Sequence, residues 1–383
     1  MPRPGQSRTT PEERLPERMA LGLLFRTFPP ELVDRVVAEC GRAERRSRLL
    51  PARTVVYFVL AICLFEQRSY EQVAQLLTEG LAWARQERTL CTVPTTAAIS
   101  RARARLGPEP LAALFTELAR QSRPAGARTR CARFRQWAVL AIDGTTVDVP
   151  DTPENRARYG PSPSRPVPAP TGDSASDTAP RPGPASRSAS ASGSGFPQVH
   201  VVALAECGSH RITGAVLGRL PSGGPPAPLA RALFTTLTHG DLLLADCGPA
   251  DLELLHVARA AGAEVLWRIG LGTGLPVHVG LPDGSYLSDA PCGATGARTA
   301  VRVIEEPPYR LVTSLLDPEA APAGLLAALY DRRWDIRTSL RDLGALSPEG
   351  PQVLRSRWPG GVEQEVWGHL LVHHTIRSLL GSA

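Results

Sequence analysis

The sequence predicts an α/β protein in which an all-helical region precedes a mixed sheet. Between residues 30 and 118, apolar residues recur at three- and four-residue spacing, which is the period of an amphipathic helix. From residue 137 onward, apolar runs of strand length alternate with helical segments, a succession typical of a mixed α/β sheet. The chain has 383 residues, 43% of them hydrophobic, and can therefore bury a sizeable core.

The N-terminal part of the chain begins with a polar segment and continues with helices. Residues 1–20 are rich in Pro, Arg and Glu, so we expect a flexible arm there. Residues 21–132 are expected to form an all-α domain, because several short helices follow one another with tight connections. The predicted helices run from Pro30 to before Gly41, from Ala52 to Glu66, from Ser69 to near Gly80, from Thr96 to Leu106 and from Pro110 past Leu118.

All 43 basic residues of the chain are Arg, and the formal net charge is +6. A helical turn brings Arg101 and Arg105 onto one face of their helix, where they could clamp phosphates or enter a DNA major groove. A solvated basic face without a partner is the alternative interpretation of such a charge run. A preference for Arg also follows from GC-rich coding, so composition alone leaves both interpretations open.

Residues 133–383 are expected to carry the sheet. Within them, residues 160–196 consist mainly of Pro, Ser, Ala and Gly, and they are expected to form a disordered surface loop. The predicted strands cover residues 137–142, 198–204, 211–217, 241–245 and 264–269, and the predicted helices cover residues 229–237 and 250–261.

The C-terminal third is expected to contain a small β subdomain and two helices. Gly and Pro break residues 270–316 into short strands, which suggests a subdomain inserted before the final helices. Residues 322–342 are expected to be one long helical region, and residues 362–380 the last helix. Three tryptophans in this half are expected to lie in the core, namely Trp267, Trp334 and Trp367.

Two aspartates, Asp143 and Asp246, each follow an apolar strand. In an α/β sheet such positions converge on one edge, so the two carboxylates could bind a divalent ion between them. A third carboxylate from a nearby helix would complete a two-metal site for in-line phosphoryl transfer. A strand-end Asp also forms turns, so the pair by itself leaves a structural role open.

A wider set of motifs resembles one family. In order and spacing, the motifs are similar to those of the insertion sequence 4 family of DDE transposases, over about residues 21–380. The resemblance implies an RNase H-like catalytic core with a β insertion, preceded by an N-terminal domain that binds terminal inverted repeats. The motifs are Asp143-Gly144-Thr145, Asp246-x-Gly248, Tyr330-x-x-Arg333-Trp334-x-Ile336, Leu354-Arg355-Ser356 and the helix from Trp367 to Arg377.

The resemblance also implies roles for individual residues. Asp143 and Asp246 would be catalytic ligands of Mg²⁺ or Mn²⁺, which activates water for strand nicking in this family. Tyr330 and Arg333 would hold DNA backbone phosphates beside the scissile bond. The implied partners are double-stranded DNA, both as terminal inverted repeats and as target, and a second copy of the chain in a synaptic homodimer.

The chain departs from the family pattern at the third acidic position. The pattern places a catalytic Glu where this chain has Arg337, and an Arg cannot ligate Mg²⁺. On a regular helix, neither Asp335 nor Asp342 points in the direction of Arg337, so neither is expected to replace the Glu. Further departures are Gly344 in place of a Lys, Cys247 in place of a basic residue and Pro249 in place of an aromatic residue.

Cysteine usage and hydropathy bear on the compartment. The seven Cys residues are scattered without a C-x-x-C pair, which favours reduced thiols in a cytosol. The chain opens without an apolar signal segment, and its longest apolar run is too short to span a bilayer. We therefore expect a cytoplasmic protein with no membrane partner, associated with the nucleoid when bound to DNA. Four histidines in helices are expected to pack or hydrate rather than bind metal, namely His256, His369, His373 and His374.

Three hypotheses follow. In the first, the chain is a cut-and-paste DNA transposase whose metal-dependent strand cleavage is impaired at Arg337. In the second, it is a catalytically inactive DNA-binding protein that regulates or inhibits related elements. In the third, it is a decaying gene product with neither activity. All but the third predict salt-sensitive DNA binding, and only the first predicts metal-dependent cleavage.

Overall fold

A computed structural model shows a helical N-terminal region followed by a mixed α/β sheet, as the sequence predicts. Of the expected disordered loop, residues 161–194 lie outside the described residues. No helix in the described part of the chain is both long and apolar enough to cross a membrane. The structure describes residues 15–44, 46, 50–85, 93–121, 133–160, 195–219, 227–246, 252–291, 296, 298–341 and 353–380.

The helices of the N-terminal region match the predicted ones, with two differences. A first helix begins at Leu15, inside the segment expected to be a flexible arm, because its Leu21 and Leu24 are buried. The fourth helix continues past Gly80, where a side chain would meet Leu21 at 3.3 Å, so this glycine permits the first helix to pack closely. The helices are α1 (Leu15–Thr27), α2 (Pro30–Glu39), α3 (Ala52–Leu64), α4 (Tyr70–Arg85), α5 (Thr96–Leu106) and α6 (Glu109–Gln121).

The strands form one sheet in the order β4-β3-β2-β5-β6-β10-β9-β8-β7, with β1 paired to β2. The central strands β2, β5 and β6 run parallel, and the other pairs are antiparallel. The strands are β1 (Arg133–Phe134), β2 (Trp137–Asp148), β3 (Gln198–Glu206), β4 (Ile212–Gly218), β5 (Asp241–Asp246), β6 (Glu264–Arg268), β7 (Val279–Gly280), β8 (Tyr286–Pro291), β9 (Arg298–Glu306) and β10 (Tyr309–Thr313).

The four strands β7 to β10 continue the main sheet. β10 pairs with β6, and β9 and β8 follow outward, so these strands share the sheet of the central ones. Within residues 270–316 the sequence predicts short strands over residues 277–279, 300–304 and 309–315, which lie near β7, β9 and β10, but it predicts none at β8. A short helix, α7 (Pro153–Tyr159), is also absent from the prediction.

Side chains that alternate along the central strands fill two cores. Leu140 and Ile142 of β2 point to the face that α8 (Ala227–Phe234) and α9 (Leu252–Ala260) cover. Val139 and Ala141 of β2 belong to a cluster that continues into the N-terminal helices. The sheet is therefore buried on both faces, which explains why its central strands are continuous apolar runs in the sequence.

The long helix predicted over residues 322–342 is broken. It consists of α10 (Ala323–Tyr330), a single 3-10 turn over Asp331–Arg333, and α11 (Trp334–Arg341). Both helices lie against the sheet, α10 beside β6 and β9 and α11 beside β2 and β3.

The last helix, α12 (Pro359–Leu380), packs against the N-terminal helices α3 and α6. Gly368 allows the close approach to α3, because a Cβ at this position would lie 2.6 Å from the sulfur of Cys63. The two ends of the chain thus share one helical bundle.

A buried polar cluster ties α5 to α12. The guanidinium of Arg103, with 2% of the residue exposed, donates to Gln364 (2.9 Å), Ser356 (2.9 Å) and Tyr70 (2.7 Å). It also lies 3.4 Å from the buried carboxylate of Glu365. Gln364 in turn donates to the backbone carbonyl of Arg103 at 2.8 Å. The basic run on α5 is therefore not a uniformly solvated face.

Candidate active site

Asp143 and Asp246 lie together at one edge of the parallel part of the sheet. Asp246 is the last residue of β5, as predicted, whereas Asp143 lies within β2, which continues to Asp148 along β3. The pairing of β2 with β5 ends at Ala141, so Asp143 emerges where its parallel neighbour stops. The predicted position at the end of a strand thus holds for β5 but not for β2.

Arg337 forms an ion pair with Asp143. It lies on the second turn of α11, and its Nε donates to Oδ2 of Asp143 at 3.0 Å. The other carboxylate oxygen of Asp143 accepts the backbone N–H of Gly144 at 2.8 Å. The residue that stands at the expected Glu position therefore contacts the first aspartate directly.

Two further arginines surround the carboxylates. Arg333 is 2% exposed and places one terminal nitrogen 3.8 Å from Asp143 and the other 3.5 Å from Asp246. Arg268, the in-register neighbour of Asp246 on β6, donates from its Nε to Oδ1 of Asp246 at 2.8 Å and from a terminal nitrogen to Oδ2. Burial lowers the pKa of Arg268, but the hydrogen bond and charge of Asp246 outweigh it and leave that pKa raised.

Arg268 is not among the site residues that we predict from the sequence. It could have been predicted from its position at the end of the strand that follows Asp246, since neighbouring parallel strands end at the same edge of a sheet. Which strand lies beside β5 depends on the topology, and so the pairing of Asp246 with Arg268 emerges only from the folded sheet.

Tyr330 lies beneath this cluster and is 1% exposed. Its hydroxyl donates to the backbone carbonyl of Ala245 at 3.2 Å, and its ring lies 5.5 Å from the guanidinium carbon of Arg333. Burial raises the pKa of Tyr330 well above its usual value, so the hydroxyl stays a neutral donor. In this structure Tyr330 contacts β5 through Ala245 and packs against the guanidinium of Arg333. Its contact with DNA stays a prediction.

Trp334 is exposed, contrary to the expectation that it lies in the core. Its exposed fraction is 49%, whereas Trp267 is fully buried, as predicted. Trp334 is the first residue of α11 and follows the 3-10 turn that ends at Arg333. The guanidinium carbon of Arg337 lies 4.6 Å from the centre of the indole ring.

The donor set around the two aspartates does not suit a divalent cation in this arrangement. Three guanidinium groups face two carboxylates, and each carboxylate oxygen already accepts a hydrogen bond. Mg²⁺ requires oxygen ligands, and the excess positive charge would oppose it. Within the residues that the structure describes, no group of three or more His, Cys, Asp or Glu side chains could hold a metal ion.

The nearby acid Asp335 does not point into the site. Its carboxylate accepts the backbone N–H of Gly208 at 2.8 Å, at the turn between β3 and β4. This agrees with the expectation that it faces away from Arg337. Several residues of the motifs lie outside the described residues, namely Cys247, Gly248, Pro249, Asp342 and Gly344.

The predicted DNA-binding residues Arg101 and Arg105 lie on α5, in the helical region, and both are exposed. Arg103 between them is buried in the polar cluster with Glu365. The structure thus separates a solvent-facing pair from a residue that joins α5 to α12.

Comparison with known proteins places the chain among transposases. Residues 138–346 match the sequence model described as "Transposase DDE domain", and residues 18–116 match "Insertion element 4 transposase N-terminal". The chain is 28% identical over 362 residues to the transposase InsG for insertion sequence element IS4 of Escherichia coli (strain K12), which covers 91% of this chain and 74% of that protein.

Among solved structures, the chain is similar to the piggyBac transposase in a synaptic complex with hairpin DNA. The TM-score is 0.40 and the sequence identity 11%, and the match covers 94% of this chain and 75% of the other.

Proposed function

The chain belongs to the insertion sequence 4 family of DDE transposases, and from this premise we propose that it binds the ends of its mobile element but is impaired in cleaving them. The ion pair between Arg337 and Asp143 carries the second half of the proposal. The family pattern has an acidic residue at position 337. In this chain position 337 is an arginine, whose guanidinium forms an ion pair with Asp143.

DNA binding is assigned to the helical region. We propose that residues 21–132 form the domain that binds terminal inverted repeats and that residues 133–383 form the catalytic domain. The exposed pair Arg101 and Arg105 would contact backbone phosphates. A homodimer would hold two element ends in one synaptic complex, and target DNA would join it.

The catalytic assignment rests on the sheet. The order β4-β3-β2-β5-β6, with β2, β5 and β6 parallel, fits an RNase H-like core, and we take residues 270–316 as its β insertion. Asp143 and Asp246 would be the catalytic carboxylates, and Arg333 would hold a phosphate near them. DDE transposases use divalent metal ions, and Mg²⁺ or Mn²⁺ would be the ion that a restored site takes.

Restoring the acid tests this proposal. We expect Arg337→Glu to remove the Asp143 ion pair and to raise Mg²⁺-dependent nicking of the element's own terminal repeats by about 100-fold, or ~3 kcal/mol of transition-state stabilisation. Nicking is measured on a labelled duplex that carries the repeat, with Mg²⁺ and with EDTA.

Two matched variants control for this change. Arg298→Glu makes the same charge reversal on β9, away from the two aspartates, and should leave nicking at the level of the unmodified chain. Asp143→Ala added to Arg337→Glu should abolish the gain while DNA binding persists. Robust nicking by the unmodified chain would overturn the proposed impairment.

The same ion pair supports a second candidate function. A transposase that binds ends without cutting them could inhibit related elements by occupying their repeats or by entering mixed dimers. In a mixing assay, the unmodified chain should then reduce nicking by the Arg337→Glu variant. An unchanged rate at saturating amounts would argue against this role.

A further inference from the structure

The first turn of α10 is capped by a residue from the turn between β7 and β8. Pro322, the residue before the helix, has no side-chain group that can accept a hydrogen bond. The backbone N–H of Ala323 donates instead to the carboxylate of Asp283 at 3.1 Å, from 40 residues away in the sequence. A carboxylate at this end of a helix also interacts favourably with the helix dipole. The outer strands of the sheet thus supply the cap that the local sequence lacks.

The capping carboxylate is itself fixed by a buried guanidinium. Arg302 of β9 is fully buried, and one of its terminal nitrogens donates to the same oxygen of Asp283 that caps α10. The Nε of Arg302 donates to the hydroxyl of Ser285 at 2.7 Å, and that hydroxyl donates to the other oxygen of Asp283 at 2.6 Å. The second terminal nitrogen of Arg302 donates to the carbonyl of Ala321 at 2.7 Å. Arg302 therefore holds both the cap and the segment that leads into α10.

The other end of α10 contacts the same group of strands. The hydroxyl of Tyr309 on β10 donates to the carboxylate of Asp331, which follows the helix directly. The ring of Tyr309 also packs edge-on against that of Tyr330, the last residue of α10, with the ring centres 5.1 Å apart. The strands β7 to β10 therefore reach α10 at both of its ends.

The position of α10 determines where Arg333 lies. The helix has eight residues, or roughly two turns, and an isolated helix of this length is not stable in water. Its position along its own axis therefore depends on its tertiary contacts. Arg333 follows the helix by three residues, and its terminal nitrogens lie 3.8 Å from Asp143 and 3.5 Å from Asp246. A shift of α10 would move this guanidinium relative to both carboxylates.

We propose that Asp283 is a positioning residue of the site. By capping α10 while Arg302 fixes its carboxylate, it holds Arg333 where that guanidinium can bind a phosphate beside the two aspartates. Asp283 acts through the helix and not by contact with DNA. This inference rests on the proposed function, because it takes Arg333 as a phosphate-binding group. It deepens that function by giving the outer strands a role at the site.

Two substitutions of Asp283 separate the cap from the charge. Asp283→Asn and Asp283→Ala both leave the buried Arg302 without its carboxylate, so both should lower stability. Asn keeps an oxygen for the N–H of Ala323 and turns its amino group toward the hydroxyl of Ser285, whereas Ala offers no acceptor. The difference between the two variants therefore isolates the cap.

Two further variants complete the set. Ala323→Pro removes the capped N–H itself and leaves Arg302 its carboxylate, at the first helical position, where Pro is favoured. Asp289→Ala is the matched control, because it removes another carboxylate of the outer strands that pairs with an arginine, Arg298, and not with α10. Circular dichroism shows whether each variant is folded, and Ala323→Pro takes the place of Asp283→Ala if the latter does not fold.

Nicking kinetics in the Arg337→Glu chain give the first measurement. Added Asp283→Ala or Ala323→Pro should lower kcat about tenfold and leave KM for the repeat duplex unchanged, because a displaced Arg333 misplaces the phosphate while the helical region still binds the DNA. Added Asp283→Asn or Asp289→Ala should leave kcat unchanged. Equal losses of kcat for Asp283→Ala and Asp283→Asn would overturn the proposal, since the unpaired charge of Arg302 would then be the cause.

Tryptophan fluorescence gives a second measurement that does not require cleavage. The guanidinium carbon of Arg333 lies 5.2 Å from the centre of the indole ring of Trp334, so the emission of Trp334 reports where Arg333 lies. This emission is the difference between each chain and the same chain with Trp334→Phe. We expect it to change in Asp283→Ala and in Ala323→Pro, and to stay the same in Asp283→Asn and in Asp289→Ala.

The two measurements separate this inference from the proposed function. If Arg337→Glu does not nick the repeat duplex, the proposed function fails, and the emission of Trp334 alone decides whether Asp283 positions the helix. If Arg337→Glu nicks and neither Asp283→Ala nor Ala323→Pro lowers kcat, only the positioning role is refuted. Unchanged emission of Trp334 in both of these variants would refute it as well.

Discussion

Individual arginines of this chain differ in their burial and in their contacts, although they are the same residue type. Arg101 and Arg105 are exposed, Arg103 is buried among polar groups of α12, and Arg337 neutralises a carboxylate. Periodicity distinguishes the first two from Arg103, since residues two apart on a helix face different directions. It does not show that the buried face meets Glu365, because that contact joins residues far apart in the sequence.

The burial of Arg103 leads to a prediction at this scale. Arg103→Ala should lower the free energy of unfolding by about 3–5 kcal/mol, because it leaves the carboxylate of Glu365 buried without its cation. Urea unfolding at neutral pH measures this. Arg101→Ala removes the same side chain from the exposed face of the same helix and should cost less than about 0.5 kcal/mol. Equal stability of the two variants would contradict the structural role of Arg103.

Helices and strands were predictable in type, and less so in their ends. The apolar strand before Asp143 predicts β2, but β2 continues to Asp148 because β3 pairs with it along that whole stretch. The predicted long helix is interrupted at Asp331–Arg333, and Trp334, the residue directly after the interruption, is exposed. Helix period alone does not reveal such a break, since the turn contains neither Gly nor Pro.

The helix α12 carries a prediction about pH. Burial lowers the pKa of His369 and of His374 to about 4 each, and Arg355 and Arg211 add to this effect, while Glu365 and the backbone of Ile212 oppose it. In the unfolded chain both histidines titrate near 6.5, so between these values the unfolded state binds more protons. Stability should therefore fall as pH decreases from about 6.5 toward 4.

The expected loss by pH 5 is about 2 kcal/mol per histidine. Urea unfolding at a series of pH values measures it, and the double variant His369→Gln, His374→Gln should show a flatter profile. If the stability of the unmodified chain depended on pH as little as that of the double variant, buried neutral His369 and His374 would not be the cause of the pH dependence.

For the whole molecule, the formal net charge of +6 and the exposed arginines predict DNA binding that weakens with salt. The double variant Arg101→Gln, Arg105→Gln should lower the slope of log affinity against log salt by about two, and it should do so for any sequence. The matched double variant Arg231→Gln, Arg298→Gln removes the same charge from α8 and β9 and should leave the slope unchanged. Equal slopes for the two double variants would remove α5 from the DNA interface.

The sequence by itself determined most of the succession of helices and strands, apart from α1, α7 and β8, together with the family and the two aspartates that share a sheet edge. These features follow from local periodicity and from motifs in a fixed order. Only the tertiary structure decided that Arg337 contacts Asp143, that Arg268 engages Asp246, and that Trp334 is exposed. The physical reason is that a pattern along the chain reports which face of an element is buried, whereas the pairing of charges depends on strand order, register and helix position in space.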